Sequence, residues 1–238
     1  FTNTKEPAPS ISVVKTVDAN EDGTFQKSES VLEGGVGDQK VDYKFFITNT
    51  SPLATDPVTI TSLTDDKLGD LLPAFKAANG GSAVIAYGAF VNFYVNDQMV
   101  PVANVGANYT NLVTVAGKDD ENTPTNIATD TATVTYADVK PTIDITKKHT
   151  GTLNEGTSGQ ILVYTFQVTN TSAASTDPET ITSMTDTILG DLLPAFKAAN
   201  AGSAILAPGV SVTFSFNYTA PMANAGVQLA NIVTVTGN

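Results

Sequence analysis

The 238-residue sequence contains no cysteine, no tryptophan and a single histidine, His149. Without cysteine there are neither disulfides nor thiolate metal sites, and one histidine nearly excludes Ser-His-Asp, Cys-His and histidine-rich zinc chemistry. The missing tryptophan argues against a sugar-stacking module. Arginine is absent too: all 12 basic residues are lysines, set against 24 acidic ones, for a formal net charge of −12. That field repels nucleic-acid phosphates and anionic lipid, so neither is an expected partner, while divalent cations suit it. No apolar run approaches the roughly 18 residues of a membrane span, so direct membrane insertion is not expected. Neither a Gly-x-Ser-x-Gly elbow nor a phosphate-cradling glycine loop is present, and the carboxylates sit in turns. The chain reads as no enzyme. It begins at Phe1 without a basic-then-apolar leader, as a processed or excised piece of a longer protein would.

What is present is a duplication. Leu68-Gly-Asp-Leu-Leu-Pro-Ala-Phe-Lys-Ala-Ala-Asn79 recurs letter for letter at Leu189–Asn200, 121 residues on. The match extends to Thr48-Asn-Thr-Ser51 with Thr169-Asn-Thr-Ser172, and to Asn111-Leu-Val-Thr-Val with Asn231-Ile-Val-Thr-Val. Between and around these matches, Thr, Val and Ile alternate at period two, bounded by Gly, Pro, Asn and Asp. The pattern predicts an all-β chain of two tandem antiparallel sandwiches. Copy one should hold strands near 11–17, 40–49, 58–63, 83–86, 89–96, 111–116 and 129–137. The repeated twelve-mer is the exception: Leu68, Leu71, Leu72 and Phe75 lie at helical spacing before an Asn79-Gly80 stop, predicting one short helix per copy. It reads as a packing element, with a shared binding site as the alternative.

Residues 1–8 read as a tail, 9–140 as repeat 1 and 141–238 as repeat 2. The boundary near Asp138-Val-Lys-Pro141 leaves a very short linker, which argues for a stiff end-to-end arrangement. Repeat 2 has no counterpart of the last strand of repeat 1, Asn126–Tyr136. Either the chain was cut there, or a strand from another subunit fills the open edge, as in strand-donation fibres.

Repeat 1 carries 11 extra residues after its first strand, and they hold the best candidate site. In Asp18-Ala-Asn-Glu-Asp-Gly-Thr-Phe-Gln-Lys-Ser-Glu29, oxygen ligands fall at positions 1, 3, 5, 7, 9 and 12 of an EF-hand-type loop, with Gly23 at the turning position 6. Asp18, Asn20 and Asp22 would supply side-chain oxygens, Thr24 its carbonyl and Glu29 a bidentate carboxylate to Ca2+. Flanking strands make the ion structural. Repeat 2 has only His149-Thr-Gly-Thr there and should lack it. Asp119-Asp-Glu-Asn122 could hold a second ion or a solvated turn, and Asp70 reads as a helix-start residue.

A covalent possibility lies in residues that recur in both copies. Lys15, Asp65 and Asn111 correspond to Lys147, Asp186 and Asn231. A lysine amine, a carboxyl and an asparagine amide buried together could form an isopeptide bond, since apolar burial favours the neutral amine and the protonated acid. The alternative is a solvated lysine, an acidic turn and a strand-start asparagine. Four Asn-x-Ser/Thr sequons, at Asn49, Asn108, Asn170 and Asn217, fit the glycosylation pattern but arise readily by chance in such a composition.

Val13-Val-Lys15-Thr, then Val41-Asp-Tyr43…Ile47-Thr-Asn-Thr, Thr64-Asp65 and Asn111-Leu-Val-Thr-Val115 resemble the conserved immunoglobulin-like repeat of prokaryotic surface proteins and adhesins. Repeat 2 matches through Lys147, Tyr164…Asn170-Thr, Asp186 and Asn231. The resemblance implies an extracellular or cell-surface, repetitive, stalk-forming protein, sometimes reinforced by calcium or isopeptide bonds. The expected function is thus a structural stalk or extender of an adhesin or surface-layer-like protein. Its partners would be neighbouring repeats of the same protein, or other subunits through the open edge of repeat 2. The alternatives are a fibre or pilus-like subunit assembling by strand donation, and a carbohydrate- or protein-binding module.

Overall fold

A computed structural model describes residues 6–238; of the expected tail, residues 1–5 lie outside the described residues. The chain is all-β and divides into two compact units, the first ending at Asp138 and the second comprising Gly34–Val36 and Val139–Asn238.

In the first unit the strands are β1 (Ile11–Asp18), β2 (Ser28–Leu32), β3 (Lys40–Asn49), β4 (Val58–Asp65), β5 (Gly69–Asp70), β6 (Val84–Ile85), β7 (Phe90–Met99), β8 (Asn108–Lys118) and β9 (Ala128–Ala137), with helix α1 (Leu72–Ala78) between β5 and β6. One sheet runs β1-β3-β7; the other runs β2-β9-β8-β4-β5, with β6 also on β4. All pairs are antiparallel except β2 with β9. Alternation builds the core: Val41, Tyr43, Phe45 and Ile47 of β3 point inward, meeting Ile60, Leu63, Val113 and Val115 of the opposite sheet.

The second unit comprises β10 (Ile143–Thr150), β11 (Gln160–Asn170), β12 (Glu179–Asp186), β13 (Gly190–Asp191), α2 (Leu193–Ala199), β14 (Ile205–Leu206), β15 (Ser211–Ala220) and β16 (Val233–Gly237). Its sheets are β10-β11-β15 and β13-β12-β14, with β16 on β12. No strand of the unit stands where β2 and β9 stand in the first, so β16 pairs with β12 alone.

The expected strands of repeat 1 all form. Two more appear that alternation did not predict. β2 lies within the 11-residue excess, and β5 pairs with the end of β4.

The Asn-Thr-Ser motif has a structural role in each unit. Asn49 is buried; its amide donates to the carbonyls of Asp56 (2.8 Å) and Ile85 (3.1 Å) and accepts from the Ser51 N–H (2.9 Å). Asn170 does the same with Asp177, Leu206 and Ser172. These two sequons are locked inside the fold, whereas Asn108 and Asn217 are exposed.

Candidate functional site

Strand β1 turns Ile11, Val13, Lys15 and Val17 inward, so the lysine occupies a slot in an apolar stripe. Its side chain is 0% exposed, and so is that of Asp65, whose Oδ2 lies 2.5 Å from Lys15 Nζ. The ammonium sits over the rings of Tyr43 (4.6 Å from the centroid) and Phe45 (5.3 Å). Burial pushes the Lys15 amine below the ordinary lysine value, against the opposing pull of the Asp65 hydrogen bond and charge and of Asp66 and Asp130. The other Asp65 oxygen, Oδ1, accepts the N–H groups of Lys67 and Leu68, each at 3.0 Å, which fixes the turn after β4.

Asn111 joins this cluster from β8. Asp65 pairs with Val113, so the next inward position, Asn111, lies beside the turn that Asp65 holds. Its side chain is fully buried, and neither Oδ1 nor Nδ2 has a hydrogen-bond partner. The amide lies beside the Tyr43 hydroxyl, but neither group completes a bond of ordinary geometry. Burial, foremost, raises the Tyr43 phenol to about 12. A phenol raised on folding stabilises fully below pH 10 and loses that contribution as pH climbs toward its folded value, here about 2–3 kcal/mol. Urea unfolding at pH 9 and pH 12, with phenolate absorbance followed alongside, should show that loss in wild type and less of it in Tyr43→Phe.

The second unit repeats the arrangement more openly. Lys147 Nζ lies 2.5 Å from Asp186 Oδ2 and over Tyr164 and Phe166, but its side chain is 13% exposed. Burial pushes the Asp186 carboxyl up, yet the Lys147 hydrogen bond, the N–H groups of Leu189 and Ile188 and the Lys147 charge hold it below the usual range. Asn231 precedes β16; its Oδ1 accepts from Thr187 Oγ1 (3.1 Å), while Nδ2 is unpartnered. Lys147, Tyr164 and Asn231 line a cavity of about 480 Å3. In the first unit β9 crosses beside β1, which accounts for the tighter burial of Lys15.

No sequence pattern marks Asp130. From β9 its Oδ2 accepts the Lys15 backbone N–H (2.5 Å) and pairs with Lys27. Burial raises the Asp130 carboxyl, but hydrogen bonds from Lys27 and from the N–H groups of Lys15 and Thr131, with the Lys27 charge, bring it below the ordinary value. Asn126 likewise exchanges two hydrogen bonds with the backbone of Ile11. Both contacts span 115 residues, beyond any local pattern.

The acidic loop connects β1 to β2. Asp18 Oδ2 accepts the Gly23 N–H (2.8 Å), Asn20 Oδ1 that of Asp22 (3.2 Å) and Asp22 Oδ1 that of Thr24 (2.7 Å). Backbone and side-chain hydrogen bonds from Thr24, with Asn20 adding, hold the Asp22 carboxyl below its usual value against slight desolvation. Gly23, at φ 82°, occupies the left-handed region that the sharp turn needs. Glu29 reaches back so that Oε2 accepts the Ala19 N–H (2.7 Å). Two carboxylate oxygens remain buried without a partner, Asp18 Oδ1 and Glu29 Oε1, and Asp18 is only 3% exposed. Orphaned acceptors of this kind fit a hard cation. Among the described residues no three His, Cys, Asp or Glu side chains already converge as a metal cluster; the loop's expected donor set draws also on Asn20 and the Thr24 carbonyl. Asp119 holds its own turn through the Thr123 N–H (2.6 Å), and Asp70 accepts the Leu72 N–H at the start of α1 (3.0 Å).

No protein family matches the sequence and no curated protein matches it significantly, so function has to be read from these side chains.

Proposed function

We propose that the chain is a non-enzymatic structural segment, a stalk or extender of a secreted or cell-surface adhesin or surface-layer-like protein, with calcium rigidifying the first repeat. The observation that carries this reading is the pair of buried, unpartnered carboxylate oxygens, Asp18 Oδ1 and Glu29 Oε1, at the two ends of a loop whose spacing suits a calcium ion. When bound, the ion would neutralise that charge and cross-link a loop that otherwise has little apolar anchoring. Asp18, Asn20, Asp22, Thr24 and Glu29 would hold it. The first unit supports the structural role: its Lys15–Asp65 pair is turned into the fold and not toward a cleft.

Saturating calcium should stabilise the first unit by about 2.7 kcal/mol at one hundred times its Kd, raising the unfolding midpoint by about 10 °C. Differential scanning calorimetry with calcium and with chelator tests this. Asp18→Asn combined with Glu29→Gln should abolish the shift, and the transition of the second unit should not move. Identical melts with and without chelator would remove calcium from the reading. A monodisperse monomer at high concentration is also expected; concentration-dependent fibres would favour assembly by strand donation instead.

A further inference from the structure

We propose that the outer face of the β1-β3-β7 sheet in the first unit docks a basic polypeptide segment. Apolar side chains of that segment lie on Phe46 and Phe90, and its lysine or arginine enters an acidic hollow beside Phe25 and Tyr94. Such a surface lies beyond the stalk reading and needs no calcium ion. The two copies differ where this face lies. Their sheets β1-β3-β7 and β10-β11-β15 share one register, so positions correspond one to one. On the inward face the correspondence is close: Tyr43 with Tyr164, Phe45 with Phe166 and Phe93 with Phe214. On the outward face it breaks down. Val14, Phe46, Phe90 and Tyr94 of the first unit correspond to Thr146, Gln167, Ser211 and Ser215 of the second.

The fold does not require those outward rings, because the second unit builds the same sheet with hydroxyl pairs, Thr165 with Ser215 (3.0 Å) and Thr169 with Ser211 (2.8 Å). In the first unit Phe46 stacks on Phe90 and Phe25 tilts against Tyr94, with ring centroids 4.5 and 5.4 Å apart. Two hydrogen bonds between the backbones of Val17 and Gln26 tie the segment carrying Phe25 to β1. Phe90 is 57% exposed and Tyr94 48%. A lone exposed ring is ordinary, but adjoining pairs left in water on one face mark an interaction surface. Charge selects the occupant. Glu21, Asp42 and Asp97 line, with Phe25 and Tyr94, a hollow of about 420 Å3. Lys40 pairs with Asp97 (3.1 Å), and among the described residues no lysine forms a salt bridge with Glu21 or Asp42. Lys44 Nζ lies 5.7 Å from the centroids of both rings, so these faces already accept a cation. A second copy of the chain, at net charge −12, would bring like charge against that rim, and a neutral glycan would leave the carboxylates unused. A lysine or arginine finds ring faces and carboxylates together.

A random octapeptide display library, panned on the whole chain in chelator and depleted on F46Q/F90S/Y94S, tests this separately from the calcium loop. The triple variant carries the second unit's own side chains at these positions, so its melting profile should stay close to that of wild type. Enriched peptides should combine lysine or arginine with apolar residues. In fluorescence anisotropy an enriched peptide should bind the triple variant at least about tenfold more weakly than wild type. E21Q/D42N should weaken it by about three- to tenfold and flatten its salt dependence. Lys44→Gln removes the resident cation and should tighten binding by a few fold. If the triple variant fails to fold, Phe90→Ser at its exposed position carries the comparison, with a loss of about fivefold. No enrichment, enrichment of acidic or uncharged peptides, or equal binding by the variants overturns the proposal. So does binding of a neutral oligosaccharide, or self-association, that the triple variant abolishes, which would give the face to a glycan or to a second copy.

Discussion

Lys15→Met should strip the first unit of most of its stability. Removing the lysine leaves the Asp65 carboxylate buried and uncompensated, which costs about 3–5 kcal/mol on its own. If Lys15 is also bonded to Asn111, the substitution reopens a loop of about 97 residues, worth roughly 4–5 kcal/mol in closure entropy. The two parts can be separated. Asp65→Asn keeps the Oδ1 that accepts the Lys67 and Leu68 N–H groups while removing the charge. In the double variant K15M/D65N the uncompensated-charge penalty disappears and any closure penalty stays. Urea unfolding should therefore show Lys15→Met as severe, with the double variant recovering only the first 3–5 kcal/mol. Recovery to wild-type stability would mean that Lys15 and Asp65 form an ion pair and nothing more. An exposed pair is the control: Lys40 with Asp97, at 3.1 Å on the surface, should tolerate Lys40→Met with a change below about 1 kcal/mol.

The burial parity of the core strands was legible in the sequence. In Ile11-Ser-Val-Val-Lys-Thr-Val17 the lysine falls on the same alternation as Ile11, Val13 and Val17, so a period-two reading already puts it inside. Asn111, Val113 and Val115 share a face in the same way. The spacing within the duplicated twelve-mer predicts a short helix, and both copies form it over the same seven residues. Strand β2 escaped because only Val31 of its five residues is buried, which leaves no alternation to see. Strand β5 is a two-residue pairing of Gly69 and Asp70 with no apolar content. Asp130 and Asn126 escaped for a different reason: they satisfy backbone groups of β1 that are 115 residues away, and no local signal encodes such a pairing. In the acidic loop, spacing identified the oxygen-bearing residues. It did not reveal which oxygens the loop's own N–H groups would consume and which two would stay orphaned.

Phe75→Ala should lower the stability of the first unit by about 3–5 kcal/mol, because the helix depends on that one ring. Seven residues are too few for a helix to persist unaided, and α1 has no side-chain N-cap bond from Leu71. What holds it is packing. Phe75 is fully buried, meets Phe93 edge to face at 6.4 Å, and Phe93 stacks on Phe45 at 4.9 Å. Emptying that site removes the helix anchor and part of an aromatic column reaching β3. Phe196→Ala should act likewise on α2, but less strongly. Its core holds Met184 where the first unit has Leu63, and a thioether chain fills gaps that leucine cannot. The exposed side of the helix is the counter-test. If the twelve-mer is repeated for packing, Ala77→Lys should change stability by less than about 0.5 kcal/mol and leave the chain otherwise unaltered. A helix kept for recognition would show the reverse ranking, with binding to a glycan or protein panel lost in Ala77→Lys. The single buried residue of each helix is its phenylalanine, so the stability measurement is expected to favour packing.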